Sequence, residues 1–162
     1  GGFQFCFGKG EILEKYNLKS NYGIILIKDP KVSISTVDIY RKYSKKFCKD
    51  KILEVNLIKE RRDFLRFNGI QNFKNTNKFL IKNDLQKIVE RENSSVSNGL
   101  RILSEFEDSL CCAMSGSGPS CFAIFKSFDQ AINCQKKNNT YLKENGYDSW
   151  VCNFVKDGIK IN

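Results

Sequence analysis

The chain has 162 residues, of which 41% are hydrophobic and 28% charged, the composition of one globular domain large enough to bury a core. Its longest apolar runs, such as Ile24–Ile27 and Cys121–Phe125, are far too short to span a bilayer, and no signal-peptide pattern opens it. The net charge is +9, but the lysines are scattered among asparagines and isoleucines, residues that share AT-rich codons, rather than clustered as a nucleic-acid footprint would be.

Phe3, Phe5 and Phe7 alternate with Gln4 and Cys6, which predicts a strand. Gly8-Lys9-Gly10 permits a turn, and Glu11–Leu13 pairs back to close a hairpin. Tyr22–Lys28 reads as a short buried strand stopped by Asp29-Pro30. Ser35-Thr36-Val37-Asp38 offers a helix N-cap with an acid three residues on, and Tyr40, Tyr43 and Phe47 follow at helical spacing.

Residues 51–67 read as a helix through Ile52, Val55, Ile58 and Leu65, with Gly69 as its stop. The densest basic run, Lys59-Glu60-Arg61-Arg62 with Arg66, lies in this pattern and is interrupted by acids, as on a solvated helix face. Residues 68–77 are polar and read as a loop. Leu80, Ile81, Leu85, Ile88 and Val89 mark a further helix, and Val96, Leu100, Leu103 and Leu110 the next. Cys111–Met114 and Cys121–Phe125 are apolar segments flanking the loop SGSGPS. Ser127-Phe128-Asp129-Gln130 is a capping box whose helix runs to about Asn145, before Gly146. Ser149–Val155 and Ile159–Ile161 close the chain as strands around Asp157-Gly158. Helices are grouped rather than alternating with strands. The expected fold is therefore α+β, a largely antiparallel sheet with helices packed on one face.

Seven cysteines include no CxxC pair, and histidine is absent. A zinc site is not expected; the cysteines read as reduced, mostly buried thiols of a cytosol-like compartment.

The loop between the two apolar strands carries the chemical signal. Gly116 and Gly118 admit positive φ and close backbone approach. Successive N–H groups in such a loop form an anion site, with the hydroxyls of Ser115, Ser117 and Ser120 beside it. On composition alone the same residues also suit a plain strand–strand turn. The stretch Met114–Ala123, MSGSGPSCFA, resembles the third motif of the GHMP kinase superfamily, which lies close to the phosphate-binding loop. Three further segments resemble the branch of that superfamily whose substrate is cytidine diphosphate-linked methylerythritol: GGFQFCFGKGEIL, KVSISTVDIY and KNDLQKIVE. They run in the family's order, and only residues 47–77 match nothing. Departures from the pattern are Val37 where proline is common, Phe3 after the opening Gly-Gly, and Ser120 where threonine is common.

The resemblance implies the C-terminal domain of an ATP- and Mg2+-dependent kinase that phosphorylates the 2-hydroxyl of that substrate in non-mevalonate isoprenoid precursor synthesis, in a bacterial cytoplasm or a plastid. It implies that residues 1–14 are a hairpin left from a preceding domain and that residues 15–162 are the C-terminal domain, Gly1-Gly2-Phe3 reading as the middle of a longer protein. The opening hairpin is then expected to pack poorly, with Phe3, Phe5 and Phe7 partly exposed, and the glycine loop to lie at a sheet edge. The substrate-binding residues carried over are Ser35, Thr36 and Tyr40; Ser115, Gly116, Ser117 and Gly118 form the motif near the phosphates. No catalytic residue and no metal ligand is expected in this chain, whose ATP and Mg2+ would be bound mainly by a preceding half that also holds the base. The residues themselves leave a second reading of Tyr40, as part of an apolar stripe with Tyr43 and Phe47, and of Ser35 and Thr36, as simple helix caps. Asp84 reads as structural, holding a loop or helix end. Two rival functions stand beside this one. Another GHMP kinase, of homoserine or mevalonate type, would have no base to stack on Tyr40. A basic RNA-binding domain would use its 12% aromatic residues as stacking platforms on a sheet face. Neither a nucleic-acid nor a membrane partner is expected.

Overall fold

The computed structural model describes residues 4–7, 10–15, 21–47 and 81–155. Its elements are β1 (Gln4–Phe7), β2 (Ile12–Lys15), β3 (Gly23–Lys28), α1 (Thr36–Phe47), α2 (Gln86–Glu92), α3 (Ser94–Ser104), β4 (Cys111–Met114), β5 (Cys121–Phe125), α4 (Phe128–Glu144) and β6 (Asp148–Asn153). The chain is α+β, with an antiparallel four-stranded sheet in the order β4-β5-β3-β6. The β1–β2 hairpin is a two-stranded sheet of its own.

Strand β3 organises the sheet because it is aliphatic at every inner position and has a neighbour on each side. Ile25 faces Ala123 across one ladder and Val151 across the other, and Leu26 faces Phe122 and Trp150. The pleat sends alternate residues to opposite faces. Gly23, Ile25 and Ile27 point with Cys121, Ala123 and Phe125 toward the helices, where all six are buried. Val96, Leu100, Ile102 and Leu103 of α3 and Ala131 and Leu142 of α4 complete this core. Each large side chain buried here contributes about 1.5–3 kcal/mol of transfer free energy. The opposite face carries Ile24, Leu26, Phe122, Ile124 and Trp150 in register, and Trp150 is exposed. Its described aromatics are half-buried Phe122 and exposed Trp150.

Glycine is required at position 23 by contact rather than by conformation. A Cβ there would stand 2.7 Å from Ala131 Cβ and Ser127 O and 2.8 Å from Phe128 Cα. The start of α4 thus lies directly on the start of β3.

Several helix boundaries differ from the sequence reading. The capping box at Ser127 is only half made: Ser127 Oγ accepts from the Gln130 N–H at 3.1 Å, but Gln130 Oε1 is buried without a partner among the described residues. Helix α2 begins at Gln86, because residues 81–85 serve the site described below. It ends at Asn93, which turns to extended backbone and caps α3 by accepting from Val96 N. Helix α3 stops at Ser104 rather than near Leu110, since Leu110 N donates to Ile124 O and already belongs to the sheet ladder. Strand β6 ends at Asn153 because its partner begins at Gly23. The helix expected over 51–67, the stop at Gly69, the loop over 68–77, Leu80 and the final strand at Ile159–Ile161 lie outside the described residues, as does the exposure expected of Phe3, Phe5 and Phe7.

The six described cysteines are free. Burial, reinforced by the neighbouring Cys112 thiol, pushes Cys111 up to about 11 and Cys121 up to about 12, so both remain neutral packing groups at physiological pH. Cys121 Sγ points to the Val96 carbonyl and Cys112 Sγ to that of Leu100, one turn apart on α3.

Substitution Gly23→Ala is expected to destabilise the chain by about 2–3 kcal/mol through overpacking against backbone that cannot retreat. Urea unfolding would show this as a lower midpoint at unchanged slope.

Candidate functional site

The β4–β5 hairpin closes through Ser115 N donating to Ser120 O at 2.8 Å, and within it Gly118 N donates to Ser115 O at 2.9 Å. Residues 115–118 therefore form a hydrogen-bonded turn. Gly116 has φ +55 and Gly118 φ +82, while Ser117 is not among the residues of positive φ. Positive φ at the first central residue alone is the type II′ pattern. The two glycines serve different ends. A Cβ at Gly116 would meet nothing within 4 Å, so only its backbone conformation asks for glycine. One at Gly118 would also stand 2.9 Å from Met114 Sδ and 3.3 Å from Ile34 Cδ1. As expected, the loop ends the edge strand β4, with Ser115 and Gly116 exposed.

Helix α1 begins at this loop. Ser35 Oγ accepts from Asp38 N at 3.3 Å, a capping bond. Thr36 Oγ1 and Ser117 Oγ share a hydrogen bond of 2.8 Å across 81 residues of sequence. The fold thus brings together the two groups expected to form a site, Ser35–Thr36 and Ser115–Gly118. Tyr40, a turn further along α1, is 57% exposed. Ile39 enters the core and Tyr43 packs against it, and Tyr43 stacks on Phe47 with ring centroids 5.0 Å apart. Tyr40 is therefore outside the buried part of the stripe, and with Tyr43 it lines a groove of about 400 Å³ shared with Lys82, Asn83 and Gly116.

Two residues of this site were not singled out from the sequence. Asn83 Nδ2 donates to Met114 O and to Gly116 O, both at 2.8 Å, and its Oδ1 accepts from Leu85 N at 3.0 Å. Gln86 Oε1 accepts from Met114 N at 3.0 Å. Asn83 before α2 and Gln86 at its first position thus behave as a missing neighbour strand, satisfying the outward C=O and N–H of edge residue Met114. The available signal was the asparagine two residues before Leu85, a spacing that suits an Asx turn. Asp84 next to it is exposed and paired with Lys82 at 2.9 Å. Among the described residues no group of three or more acidic or cysteine side chains is placed to hold a metal ion.

Comparison with known proteins decides the family. The model of the C-terminal region of GHMP kinases matches residues 60–144, just over half of the chain. The chain belongs to the GHMP kinases. Over 160 residues it is 47% identical to the 4-diphosphocytidyl-2-C-methyl-D-erythritol kinase of Prochlorococcus marinus strain MIT 9515, covering 98% of this chain and 51% of the relative. Over 161 residues it is 49% identical to the same-named kinase of strain MIT 9301, covering 98% and 51%. The chain spans about half the length of the curated relatives it matches and is homologous to their C-terminal half. Among solved structures, homoserine kinase from Cytophaga hutchinsonii shares its fold with a TM-score of 0.57 at 18% identity, covering 98% of this chain and 50% of the other. A 4-(cytidine 5'-diphospho)-2C-methyl-D-erythritol kinase does so with a TM-score of 0.53 at 21% identity, covering 93% and 48%.

In this GHMP kinase region the two glycines of the loop are expected to separate on substitution. Gly116→Ala should cost about 1–3 kcal/mol, the strain of an L-residue in the positive-φ backbone of a type II′ turn. Gly118→Ala should cost more, because it adds a contact with Met114 to the same strain. Thermal unfolding of the two variants would rank them, with the Gly118 variant melting lower.

Proposed function

We propose that the chain forms the acceptor-binding wall and a phosphate-facing loop of a kinase that transfers the γ-phosphoryl group of ATP to the 2-hydroxyl of 4-diphosphocytidyl-2-C-methyl-D-erythritol, a step of isoprenoid precursor synthesis. The observation that carries this reading is the Thr36–Ser117 hydrogen bond, which joins a helix start bearing an exposed ring to the glycine loop. Identity of 47–49% to kinases named for that substrate supports the choice of acceptor.

The chemistry suits such a ligand at both ends. Tyr40 offers a flat exposed face to a cytosine, and base–aromatic stacking is worth about 1–3 kcal/mol. The start of α1 and the hydroxyls of Ser35 and Thr36 suit an anionic or polyol group. The N–H groups of Gly116 and Ser117 make no hydrogen bond among the described residues and suit a phosphate oxygen. Phosphoryl transfer rests on positioning and charge stabilisation. We assign these residues to binding, not to proton transfer; Asp84 lines the groove but is committed to Lys82. The base, the groups that cradle ATP and the Mg2+ site are assigned to the half of the longer relatives that this chain does not span. We assign residues 1–14 to the domain that precedes the C-terminal one in the longer relatives, because among the described residues the β1–β2 ribbon pairs only with itself, although β2 runs one residue further, to Lys15. No described helix is long and apolar enough to cross a membrane, and a bacterial cytoplasm or plastid stroma is the compartment we propose.

A homoserine-type kinase shares the fold but has no base to stack, so Tyr40 separates the two readings. In the complete kinase, Tyr40→Ala is expected to raise KM for the cytidine-diphosphate substrate on the order of ten-fold with kcat little changed, since stacking is equal in ground and transition states. A fall in kcat at constant KM would refute the stacking role. The 162-residue chain alone should give no turnover in an ATP-coupled assay, and turnover there would overturn the division of labour proposed here.

A further inference from the structure

We infer that Asn83 is a positioning residue that fixes the orientation of the Gly116–Ser117 peptide and thereby holds the N–H edge of the loop ready for a phosphate. For the identity of the ligand, the inference rests on the kinase reading above.

In a hydrogen-bonded turn the outer residues are held by their own bond, here Gly118 N to Ser115 O at 2.9 Å. The central peptide takes no part in that bond, and its rotation is what distinguishes type I′ from type II′. In this turn the central peptide joins Gly116 to Ser117. Its carbonyl is held by Asn83 Nδ2 at 2.8 Å. A trans peptide is planar with C=O and N–H antiparallel, so fixing the carbonyl toward Asn83 turns the Ser117 N–H to the opposite side. That N–H and the Gly116 N–H have no acceptor among the described residues. Rotation of this peptide would bury the donor edge against Asn83 and carry Ser117 into positive φ, which disfavours it by sterics. The Asn83 bond adds to that preference and sets its direction.

Asn83 is itself rigidly held. Both its N–H bonds go to carbonyls of the hairpin, and its oxygen takes Leu85 N. Gln86 holds Met114 N from the same segment, so the clamp is referenced to β4 and the sheet rather than to a free loop. The Thr36–Ser117 bond fixes the side chain of the residue whose N–H the clamp aims. The turn is therefore tied from two places, through its backbone by the segment before α2 and through a hydroxyl by α1.

The test is amide NMR of the labelled chain with inorganic pyrophosphate as the probe, on the wild type, Asn83→Asp and Asn83→Ala. Aspartate keeps the acceptor for Leu85 N and loses both donors; alanine loses everything without adding charge. Both variants are expected to shift the ligand-free resonances of Gly116 and Ser117, and both to weaken pyrophosphate binding on the order of ten-fold. If the alanine variant alone is affected, Asn83 only starts the helix and the inference is overturned; unchanged loop resonances in both variants overturn it equally. A wild-type loop indifferent to pyrophosphate, with the ligand-free shifts still present in both variants, supports the peptide-fixing role and refutes the phosphate reading.

Discussion

The candidate site depends on how an edge strand is closed off. Among the described residues strand β4 has β5 on one side only, so alternate N–H and C=O groups point away from the sheet and require partners. Met114 is the last such residue before the glycine loop, and side chains of Asn83 and Gln86 take its carbonyl and its N–H. A neighbouring strand would have done the same with backbone groups and would have run on past the loop. Side chains end the pairing at one residue and leave the loop beyond it open. The same asparagine then reaches Gly116, so terminating the sheet and orienting the loop are one arrangement.

Placement of that strand is in turn set by the core. Ile25, Ile27, Ala123 and Phe125 are sealed under α3 and α4, and the close seat of α4 on Gly23 fixes β3, which fixes β5 by register. The hairpin extends from this rigid layer, while α1 and α2 lie beside one another and are linked by the Lys42–Glu92 ion pair. Exposed pairs of this kind contribute little to stability. The net charge of +9 is more relevant as a field that favours approach of an anionic ligand.

Fold and function separate in this family. Solved kinases at 18% and 21% identity share the architecture although their names give different substrates, as expected when chemistry resides in a few positions on a common frame. In the function proposed above those positions are a ring on α1, hydroxyls at its start and the donor edge of one turn.

Elements whose signal is local were legible in the sequence. Alternation and aliphatic runs marked β3, β4 and β5, the serine caps marked the starts of α1 and α4, and the glycines marked a turn needing positive φ. The motif SGSGPS with its companion segments also pointed to the kinase family. Contacts distant in sequence were decided only by the tertiary structure. Tyr40, Tyr43 and Phe47 share helical spacing, but only packing against the core turned Tyr43 inward and left Tyr40 exposed. The stripe through Val96, Leu100, Leu103 and Leu110 continued past the true end of α3, because periodicity does not register that Leu110 N finds Ile124 O. The reach of Asn83 to the hairpin was illegible for the same reason. An asparagine before a short helix is a capping residue by any local rule, and its two carbonyl partners lie 31 and 33 residues away. Which backbone groups remain unpaired at a sheet edge follows from strand order, and strand order exists only once the chain has folded.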